Sequence, residues 1–210
     1  MSYIKLVVFD CDGVMFDSRR ANREYYNQIL ARFGRPPMDQ DELDYVHMHH
    51  VEDSVRHIFR RYPEDLAVAD RYRRELDYTP FLQYMQMEAD LLEFLEYLRP
   101  ERKTAISTNR TTTMPIVLEM FELAAYFDQV VTARDVANPK PHPEALEVIM
   151  RTLAVGPEQT IYIGDSSVDR EHTAAAGIPL IAFKNPGLEA EYHVSSFMEI
   201  IGLPPFRRPA

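Results

Sequence analysis

The stretch that most constrains the fold of this chain is residues 4–13, IKLVVFDCDG. Its first six residues are almost all apolar and rich in branched side chains, a pattern typical of a strand buried on both faces of a sheet. Asp10 and Asp12 follow at once, and Gly13 then permits a sharp turn. Two carboxylates at the end of a buried strand are costly unless a cation lies between them, and Mg²⁺ prefers such oxygen ligands. The stretch therefore predicts a strand-end site for a metal and for an anion that the metal neutralises.

Two other interpretations of residues 10–13 are a calcium-binding EF-hand loop and a polar turn without function. An EF-hand loop carries Gly at its sixth position and Glu at its twelfth. Here Gly13 is the fourth residue and Ala21 is the twelfth, which excludes that loop. On this stretch alone the interpretation as a polar turn stays possible, and it has to be weighed against the rest of the chain.

The composition restricts the class of partner. The chain of 210 residues has a net charge of −10 and no basic run, which argues against a nucleic-acid or anionic-membrane partner. No apolar run approaches the roughly 20 residues of a membrane span, and no signal pattern precedes the first strand. Cys11 is the only cysteine, so no internal disulfide can form and a reducing compartment is expected. We therefore expect a cytoplasmic protein, monomeric or homodimeric, that acts on a small molecule.

Strand and helix patterns alternate along most of the chain. Strands are predicted over residues 4–9, 103–107, 129–133, 160–163 and 180–183, with helices over 88–98, 112–123, 143–153 and 167–176 between them. This alternation predicts an α/β fold with a doubly wound parallel sheet. Residues 18–78 carry helical patterns only and are predicted to be an insertion, which leaves 1–17 and 79–210 for the α/β core. We also expect a short helix over 194–201 and a poorly ordered tail over 204–210.

Polar side chains recur at the carboxyl ends of the predicted strands, where parallel α/β sheets bind their ligands. In chain order they are Asp10, Asp12, Thr108, Asn109, Lys140, Asp165 and Asp169. The set fits phosphoryl transfer, whose transition state carries charge on oxygens that must be neutralised. Asp165 can complete the Mg²⁺ site that begins at Asp10.

The other members of this set match further needs of phosphoryl transfer. Asp10 can act as the nucleophile and form an acyl phosphate, and Asp12 can act as general acid toward the leaving oxygen and then as base toward water. Thr108 can donate its hydroxyl, and Asn109 its backbone N–H, to a phosphoryl oxygen. Lys140 is a point charge that can meet both the phosphate and the Asp10 carboxylate. Lys140 could instead be a surface residue, and Thr108 could instead cap the next helix.

Four motifs occur in one order along the chain: VVFDCDGV (residues 7–14), AISTNR (105–110), NPKPHPEAL (138–146) and IGDSSVD (163–169). Together they resemble the haloacid dehalogenase (HAD) superfamily phosphatases, of the branch that includes phosphoglycolate phosphatase and β-phosphoglucomutase. The order and spacing match that family over nearly the whole core. The resemblance implies a HAD-like Rossmannoid core, with an all-helical cap that corresponds to residues 18–78.

The resemblance also implies an activity and a role for each matching residue. The activity is Mg²⁺-dependent hydrolysis of a small phosphate monoester, of the phosphoglycolate or sugar-phosphate type, through an aspartyl-phosphate. Asp10 is implied as the nucleophile, Asp12 as the acid and base, and Thr108 and Lys140 as stabilisers of the phosphate and the intermediate. Mg²⁺ is implied on the Asp10 carboxylate, the Asp12 main-chain carbonyl and Asp165.

Three alternative functions stay open beside this one. A phosphomutase would keep the same core, but the mutases that the chain resembles carry a histidine early in the first cap helix, where this chain has Asn22. A pyrophosphatase or nucleotide phosphatase would use the same catalytic set. A non-catalytic phosphate-binding regulatory protein is the third, although every catalytic position is filled.

Three residues within the motifs admit a structural interpretation. Ser166 and Asp169 form a Ser-x-x-Asp pattern that is typical of a helix cap. Asp169 is therefore either a direct metal ligand or a cap that supports the site from behind, and Ser166 either supports the site or begins the helix. Cys11 lies between the two aspartates, where strand alternation points it away from them, and we expect it to pack in the core.

The helical insertion carries several histidines without an obvious acidic or cysteine partner. A solvated or packed cluster is therefore expected rather than a zinc site. In the family the corresponding segment often has a Gly-rich turn that faces the site, and here it reads His49-His50-Val51. This departure predicts that His49 or His50, together with Arg56, contacts the part of the substrate that is not the phosphoryl group. The histidines of the insertion are His47, His49, His50 and His57.

Overall fold

The computed structural model describes residues 3–49 and 51–207. The strands are β1 (Leu6–Phe9), β2 (Phe16–Asp17), β3 (Gln86–Met87), β4 (Lys103–Thr108), β5 (Gln129–Thr132), β6 (Thr160–Gly164), β7 (Leu180–Phe183) and β8 (Tyr192–Val194). The helices are α1 (Arg19–Arg32), α2 (Gln40–Met48), α3 (Val51–Ile58), α4 (Leu66–Glu75), α5 (Leu91–Leu98), α6 (Met114–Met120), α7 (Glu144–Leu153) and α8 (Ser167–Ala176).

Within the described residues, six strands form one parallel sheet in the order β5-β4-β1-β6-β7-β8. Leu6 of β1 is paired with Lys103 of β4 on one side and with Thr160 of β6 on the other. The chain thus builds one half of the sheet on each side of β1, which makes the sheet doubly wound and confirms the predicted α/β class. Since every paired strand runs in the same direction, all the carboxyl ends meet at one edge.

The central strand β1 is buried on both faces, as its apolar sequence predicts. Leu6 and Val8 belong to a core cluster that includes Leu146 of α7. Phe9 points to the opposite face, where its ring meets Phe94 of α5 edge-on with 6.1 Å between ring centroids. Side chains alternate along a strand, so these contacts place helices on both faces of the sheet. Burial of each such side chain contributes about 1.5 to 3 kcal/mol, which fixes β1 at the centre.

The chain divides into two compact units, one of Met1–Phe16 with Met87–Ala210 and the other of Asp17–Gln86. The first, the sheet unit, carries the parallel sheet, and the second, the helical unit, carries α1 to α4. The helical unit runs to Gln86 because the 3₁₀ helix Thr79–Tyr84 packs on α1. There Tyr25 and Phe81 meet edge-on with ring centroids 5.5 Å apart.

The expectations for the last part of the chain were wrong. In place of the predicted helix over 194–201, Val194 ends β8, which pairs with β7, and Met198–Gly202 form a 3₁₀ helix. Within the predicted poorly ordered tail, Pro205 and Phe206 are buried, and Phe206 is only 2% exposed. Its carbonyl accepts a hydrogen bond of 3.1 Å from Arg102 Nη2, and its ring lies 6.2 Å from that of Phe94. Residues 208–210 lie outside the described residues.

Candidate active site

Asp10, at the carboxyl end of β1, is held next to Lys140. The Lys140 Nζ atom lies 2.9 Å from Asp10 Oδ1, and both side chains are buried. The same oxygen accepts a hydrogen bond of 2.7 Å from the backbone N–H of Cys11. A carboxylate fixed in this way is suited to nucleophilic attack, because its position is set before any substrate arrives.

Lys140 itself is fixed by three oxygen atoms. Besides Asp10, its Nζ donates to Asp169 Oδ1 at 2.8 Å and to the Tyr162 hydroxyl at 2.9 Å. An ammonium group has three N–H donors, so the contacts match its capacity. The sequence pattern predicted Lys140 but gave no indication of Tyr162, whose hydroxyl also contacts the Ser107 carbonyl at 2.9 Å.

Asp12 follows on the same loop, and its carboxylate contacts Arg110. Nε of Arg110 donates to Asp12 Oδ2 at 2.7 Å, and Nη2 donates to Oδ1 at 2.6 Å. Arg110 stands directly after the predicted pair Thr108 and Asn109, at the end of β4. Sequence reasoning did not assign it, although a charged residue in a strand-end loop is a usable signal.

Thr108 and Asn109 lie at the end of β4, as predicted. The Thr108 hydroxyl is buried and accepts a hydrogen bond of 3.1 Å from the backbone N–H of Arg110. Asn109 Nδ2 donates to the Lys140 carbonyl at 3.1 Å, which ties β4 to the lysine loop. The Asn109 Oδ1 atom is buried and has no hydrogen-bond partner among the described residues.

Asp165, at the end of β6, faces the loop after β1. A Cβ atom placed on Gly13 would overlap the Asp165 carboxylate, so the two loops approach as closely as a glycine allows. The loop of Asp165 is also anchored by Asn185, whose Nδ2 donates to the Asp165 carbonyl at 2.7 Å. The fold therefore brings Asp165 and the Asp10–Gly13 loop together at one sheet edge.

The sequence allows Asp169 to be either a direct metal ligand or a helix cap, and its contacts favour the cap. Its Oδ2 accepts from the backbone N–H groups of Asp165 and Ser166, each at 3.2 Å, and from the Ser166 hydroxyl at 2.7 Å. Its Oδ1 accepts from Lys140 at 2.8 Å and lies 3.1 Å from the Tyr162 hydroxyl. Ser166 and Asp169 form a complete capping box at the start of α8. These donors engage both carboxylate oxygens, which favours a cap over a direct metal ligand.

The site holds more negative than positive charge. Burial, followed by the negative charge of Asp10 and Asp169, raises the pKa of Asp165 to about 8. Burial also raises the pKa of Asp10, although Lys140 opposes the shift. For Lys140 burial acts to lower the pKa, but the attraction of Asp10 and Asp169 outweighs burial and raises it. A single lysine therefore does not neutralise the carboxylates that surround it.

A divalent cation fits this donor set. Among the described residues, Asp10, Asp165 and Asp169 offer carboxylate oxygens that all lie within 4.8 Å of one another. Since the oxygens of Asp169 are already engaged, Asp10 and Asp165 are the carboxylates suited to an ion. Hard oxygen ligands and an excess of negative charge are what Mg²⁺ requires.

The residues predicted to contact the substrate from the helical unit are held by local contacts. The exposed His49 ring stacks on Tyr45 with 3.8 Å between centroids, and Tyr45 also stacks on His57 at 3.7 Å. Arg56 Nη1 forms an ion pair of 2.5 Å with Asp53. His50 lies outside the described residues. No metal-binding group of histidines is found among the residues that the structure describes.

A buried histidine that sequence reasoning missed connects the motifs. His172 of α8 is fully buried, with Nδ1 2.7 Å from the His142 carbonyl and Nε2 3.1 Å from Ser107 Oγ. It thus joins the strand that carries Thr108 to the loop that carries Lys140. Cys11 is fully buried, and burial raises the pKa of its thiol.

The fold and the site define a class of α/β hydrolase, in which acidic side chains at the strand ends surround one buried lysine. A family model described as haloacid dehalogenase-like hydrolase matches residues 7–183. The chain belongs to this family, and the resemblance inferred from the four motifs is confirmed.

Two curated relatives are phosphatases by name. The phosphoglycolate phosphatase of Salmonella typhimurium is 31% identical over 160 residues, which cover 76% of this chain and 57% of that protein. The pyrophosphatase PpaX of Oceanobacillus iheyensis is 24% identical over 178 residues, which cover 79% and 77%. The chain thus spans little more than half the length of the phosphoglycolate phosphatase it matches.

A solved structure matches over almost the whole chain. It is the HAD-superfamily hydrolase of subfamily IA, variant 1, from Geobacter sulfurreducens, which is 39% identical to this chain. The TM-score is 0.84, and the match covers 95% of each chain. The described part of the present chain contains no helix with the length and apolar character that a membrane crossing requires.

Proposed function

We propose that this protein is a Mg²⁺-dependent phosphatase that hydrolyses a small phosphate monoester through an aspartyl-phosphate on Asp10. The observation that carries the proposal is the contact of 2.9 Å between Asp10 and Lys140 at the edge where the strand ends converge. The phosphatase names of the two curated relatives support it. The substrate class is a small phosphorylated metabolite of the phosphoglycolate or sugar-phosphate type.

Asp10 performs the first chemical step. Its carboxylate oxygen attacks phosphorus while the bond from phosphorus to the leaving oxygen breaks, which forms an acyl phosphate. The proton on Asp12 passes to the leaving oxygen, so that the alcohol departs neutral. Asp12 then takes a proton from water as the water oxygen attacks the acyl phosphate. Inorganic phosphate leaves and Asp10 is regenerated.

Two side chains and one backbone N–H bind and orient the phosphoryl group. The Lys140 ammonium lies against the nucleophile and offsets charge on both the attacking and the transferred oxygens. Thr108 donates its hydroxyl, and Asn109 its backbone N–H, from the end of β4. These groups are fixed before substrate binds, so no reorganisation is needed in the transition state.

Asp10 and Asp165, with the main-chain carbonyl of Asp12, would hold the Mg²⁺ ion. When bound, the ion would neutralise charge on the phosphoryl oxygens. The raised pKa of Asp165 supports this assignment, because it indicates that the protein itself supplies too little positive charge around this carboxyl group. Asp169 holds the Asp165 backbone and Lys140 in place, and Ser166 donates its hydroxyl to Asp169.

The helical unit is proposed to be the cap of the family and to select the leaving group. The contact of His49, His50 and Arg56 with the leaving group stays a prediction. It is tested by ranking substrates for His49→Ala, His50→Ala and Arg56→Ala. An unchanged ranking in all three variants would exclude it.

The first experiment is a phosphatase screen with Mg²⁺ on a generic aryl phosphate and a panel of phosphorylated metabolites. Asp10→Asn removes the nucleophile, while Glu147→Gln, exposed on α7, serves as the matched control. We expect the control to behave as wild type and Asp10→Asn to lose turnover by at least about a thousandfold. Equal turnover by wild type and Asp10→Asn, or none by either, would remove the proposal.

A second candidate is hydrolysis of a diphosphate, which the likeness to the named pyrophosphatase favours. The same catalytic set would serve, since the leaving group is then a phosphate oxygen rather than an alcohol. Inorganic pyrophosphate belongs in the screen for this reason. A kcat/KM for pyrophosphate above that for every monoester would favour this candidate.

A further inference from the structure

The strongest unassigned contact in the sheet unit is the pair of parallel hydrogen bonds between Arg110 and Asp12. They join Nε to Oδ2 at 2.7 Å and Nη2 to Oδ1 at 2.6 Å. A guanidinium that meets a carboxylate edge to edge fixes the direction and the plane of both groups. A lysine at this position could supply the charge but not the plane.

Arg110 is the fixed partner of this pair. Its side chain is 8% exposed, against 37% for Asp12. Its Nη1 donates to Thr113 Oγ1 at 3.2 Å, and its backbone N–H donates to the Thr108 hydroxyl at 3.1 Å. The guanidinium is therefore held from the β4 side before it meets Asp12.

We propose that Arg110 is a positioning residue that sets the orientation of Asp12 for proton transfer to the leaving oxygen. This inference rests on the proposed function, in which Asp12 is the acid and base. Each carboxylate oxygen has two lone-pair directions, and the two bonds to Arg110 occupy one on each oxygen. The remaining directions are thereby fixed in space, and proton transfer is sensitive to small errors of position.

Two other roles for Arg110 predict different measurements. A direct clamp on the phosphoryl group would make its loss weaken the binding of inorganic phosphate. A purely structural ion pair would make its loss lower the free energy of unfolding without changing how the rate depends on the leaving group. A positioning role instead predicts the largest loss of kcat/KM for esters whose leaving group most needs a proton.

The test uses Arg110→Lys and Arg110→Gln with phosphate esters whose leaving groups span a wide range of pKa. We read kcat/KM, because it includes only the steps up to departure of the leaving group. We expect a loss of about 10- to 100-fold for alkyl phosphates and about threefold or less for 4-nitrophenyl phosphate, whose leaving group departs without a proton. Inhibition by inorganic phosphate should change by less than about threefold.

A double variant that carries both Arg110→Gln and Asp12→Asn tests whether Arg110 acts through Asp12. If Arg110 acts through Asp12, then Arg110→Gln lowers the activity of the Asp12→Asn protein by less than about twofold. Thr113→Val removes only the anchor of Nη1 and keeps Arg110, so it should give a smaller loss of the same kind. Arg134→Gln, at an exposed position of the sheet unit, is the matched control and should leave the leaving-group dependence unchanged.

The outcomes separate the inference from the proposed function. Wild-type hydrolysis that is lost in Asp10→Asn but is unchanged in either Arg110 variant would overturn the inference alone. The inference also fails if Arg110→Lys retains full activity, if the losses in the double variant are additive, or if all leaving groups suffer equally. A wild-type protein that hydrolyses none of these esters would overturn both.

Discussion

Gly13 and Asp165 lie so close that a Cβ atom on residue 13 would overlap the Asp165 carboxylate. Gly13 also has a φ of +77°, a conformation that L side chains rarely adopt. The glycine of the first motif is thus required by its backbone conformation and by the acidic side chain of another motif. Loops that are far apart in sequence meet here without space between them.

We expect Gly13→Ala to lower the free energy of unfolding by at least about 3 kcal/mol and to abolish hydrolysis, since either residue 13 or Asp165 must move. Gly177→Ala is the matched control. Gly177 has a φ of +67°, but nothing lies within 4 Å of its virtual Cβ atom. Gly177→Ala should therefore lower the free energy of unfolding by only about 1 to 2 kcal/mol, the cost of a left-handed backbone conformation, and should leave activity intact. Equal losses of stability in the two variants, measured by urea unfolding, would contradict the overlap argument.

Replacement of Asp165 should have opposite effects on stability without and with Mg²⁺. Asp165→Asn keeps the size of the side chain and removes a carboxyl group whose pKa is raised to about 8 by burial and by the negative charge of Asp10 and Asp169. Without metal at pH 7 we expect the variant to be more stable than wild type by about 1 to 3 kcal/mol.

With Mg²⁺ at a hundredfold excess over its Kd, wild type should gain about 2.7 kcal/mol and Asp165→Asn almost nothing. Thermal unfolding with EDTA and with Mg²⁺ measures both effects. Glu147→Gln should respond to Mg²⁺ as wild type does, because its side chain is exposed on α7. An equal gain by Asp165→Asn and wild type would rule out Asp165 as a ligand.

The strand framework could be predicted because it depends on local pattern. The apolar run of β1 indicates burial on both faces, and the parallel sheet then brings Asp10, Thr108 and Asp165 to one edge. The four motifs identified these residues from the sequence alone. For Asp169 the sequence allows two interpretations, and the donors around each carboxylate oxygen favour the cap.

The contacts that could not be predicted join residues distant in the chain. Arg110 and Asp12 are 98 positions apart, and Arg102 and Phe206 are 104 apart. No local periodicity encodes such a contact, so the sequence predicts a poorly ordered tail where Pro205 and Phe206 are buried. The sequence does not indicate the role of Tyr162 for the same reason, although a hydroxyl in a buried strand needs a hydrogen-bond partner.

Tyr162 provides a test of how Lys140 is held. Its hydroxyl accepts from Lys140 Nζ at 2.9 Å and lies within hydrogen-bond distance of the Ser107 carbonyl and Asp169 Oδ1. Tyr162→Phe keeps the ring and leaves one N–H of a buried ammonium without an acceptor. We expect a loss of about 1 to 3 kcal/mol in unfolding free energy and a fall in kcat of about tenfold.

Tyr126→Phe is the matched control for Tyr162→Phe. The Tyr126 hydroxyl donates to Glu96 at 2.7 Å in an exposed pair. Its removal should change stability by less than about 0.5 kcal/mol and leave kcat unchanged. Wild-type kcat in Tyr162→Phe would show that Asp10 and Asp169 alone suffice to place Lys140.

His172 should make stability depend on pH between neutrality and pH 4. Burial, assisted by the charge of Lys140, lowers the pKa of His172 from 6.5 to about 4. The folded state therefore favours the neutral ring, in which Nδ1 donates to the His142 carbonyl and Nε2 accepts from Ser107. The stabilisation is fully present above pH 6.5 and is lost as the pH falls toward 4, to a total of about 3 kcal/mol.

The measurement is urea unfolding of wild type and His172→Gln at pH values from 5 to 7.5. Over the window from pH 7 to pH 5, wild type should lose about 2 kcal/mol more than His172→Gln, because only wild type must take up a proton at this position on unfolding. Carboxylates titrate in both proteins, so their effect cancels in the difference. His193→Gln, at an exposed position, should keep the wild-type slope. Parallel slopes for wild type and His172→Gln would mean that His172 does not titrate on unfolding in this window.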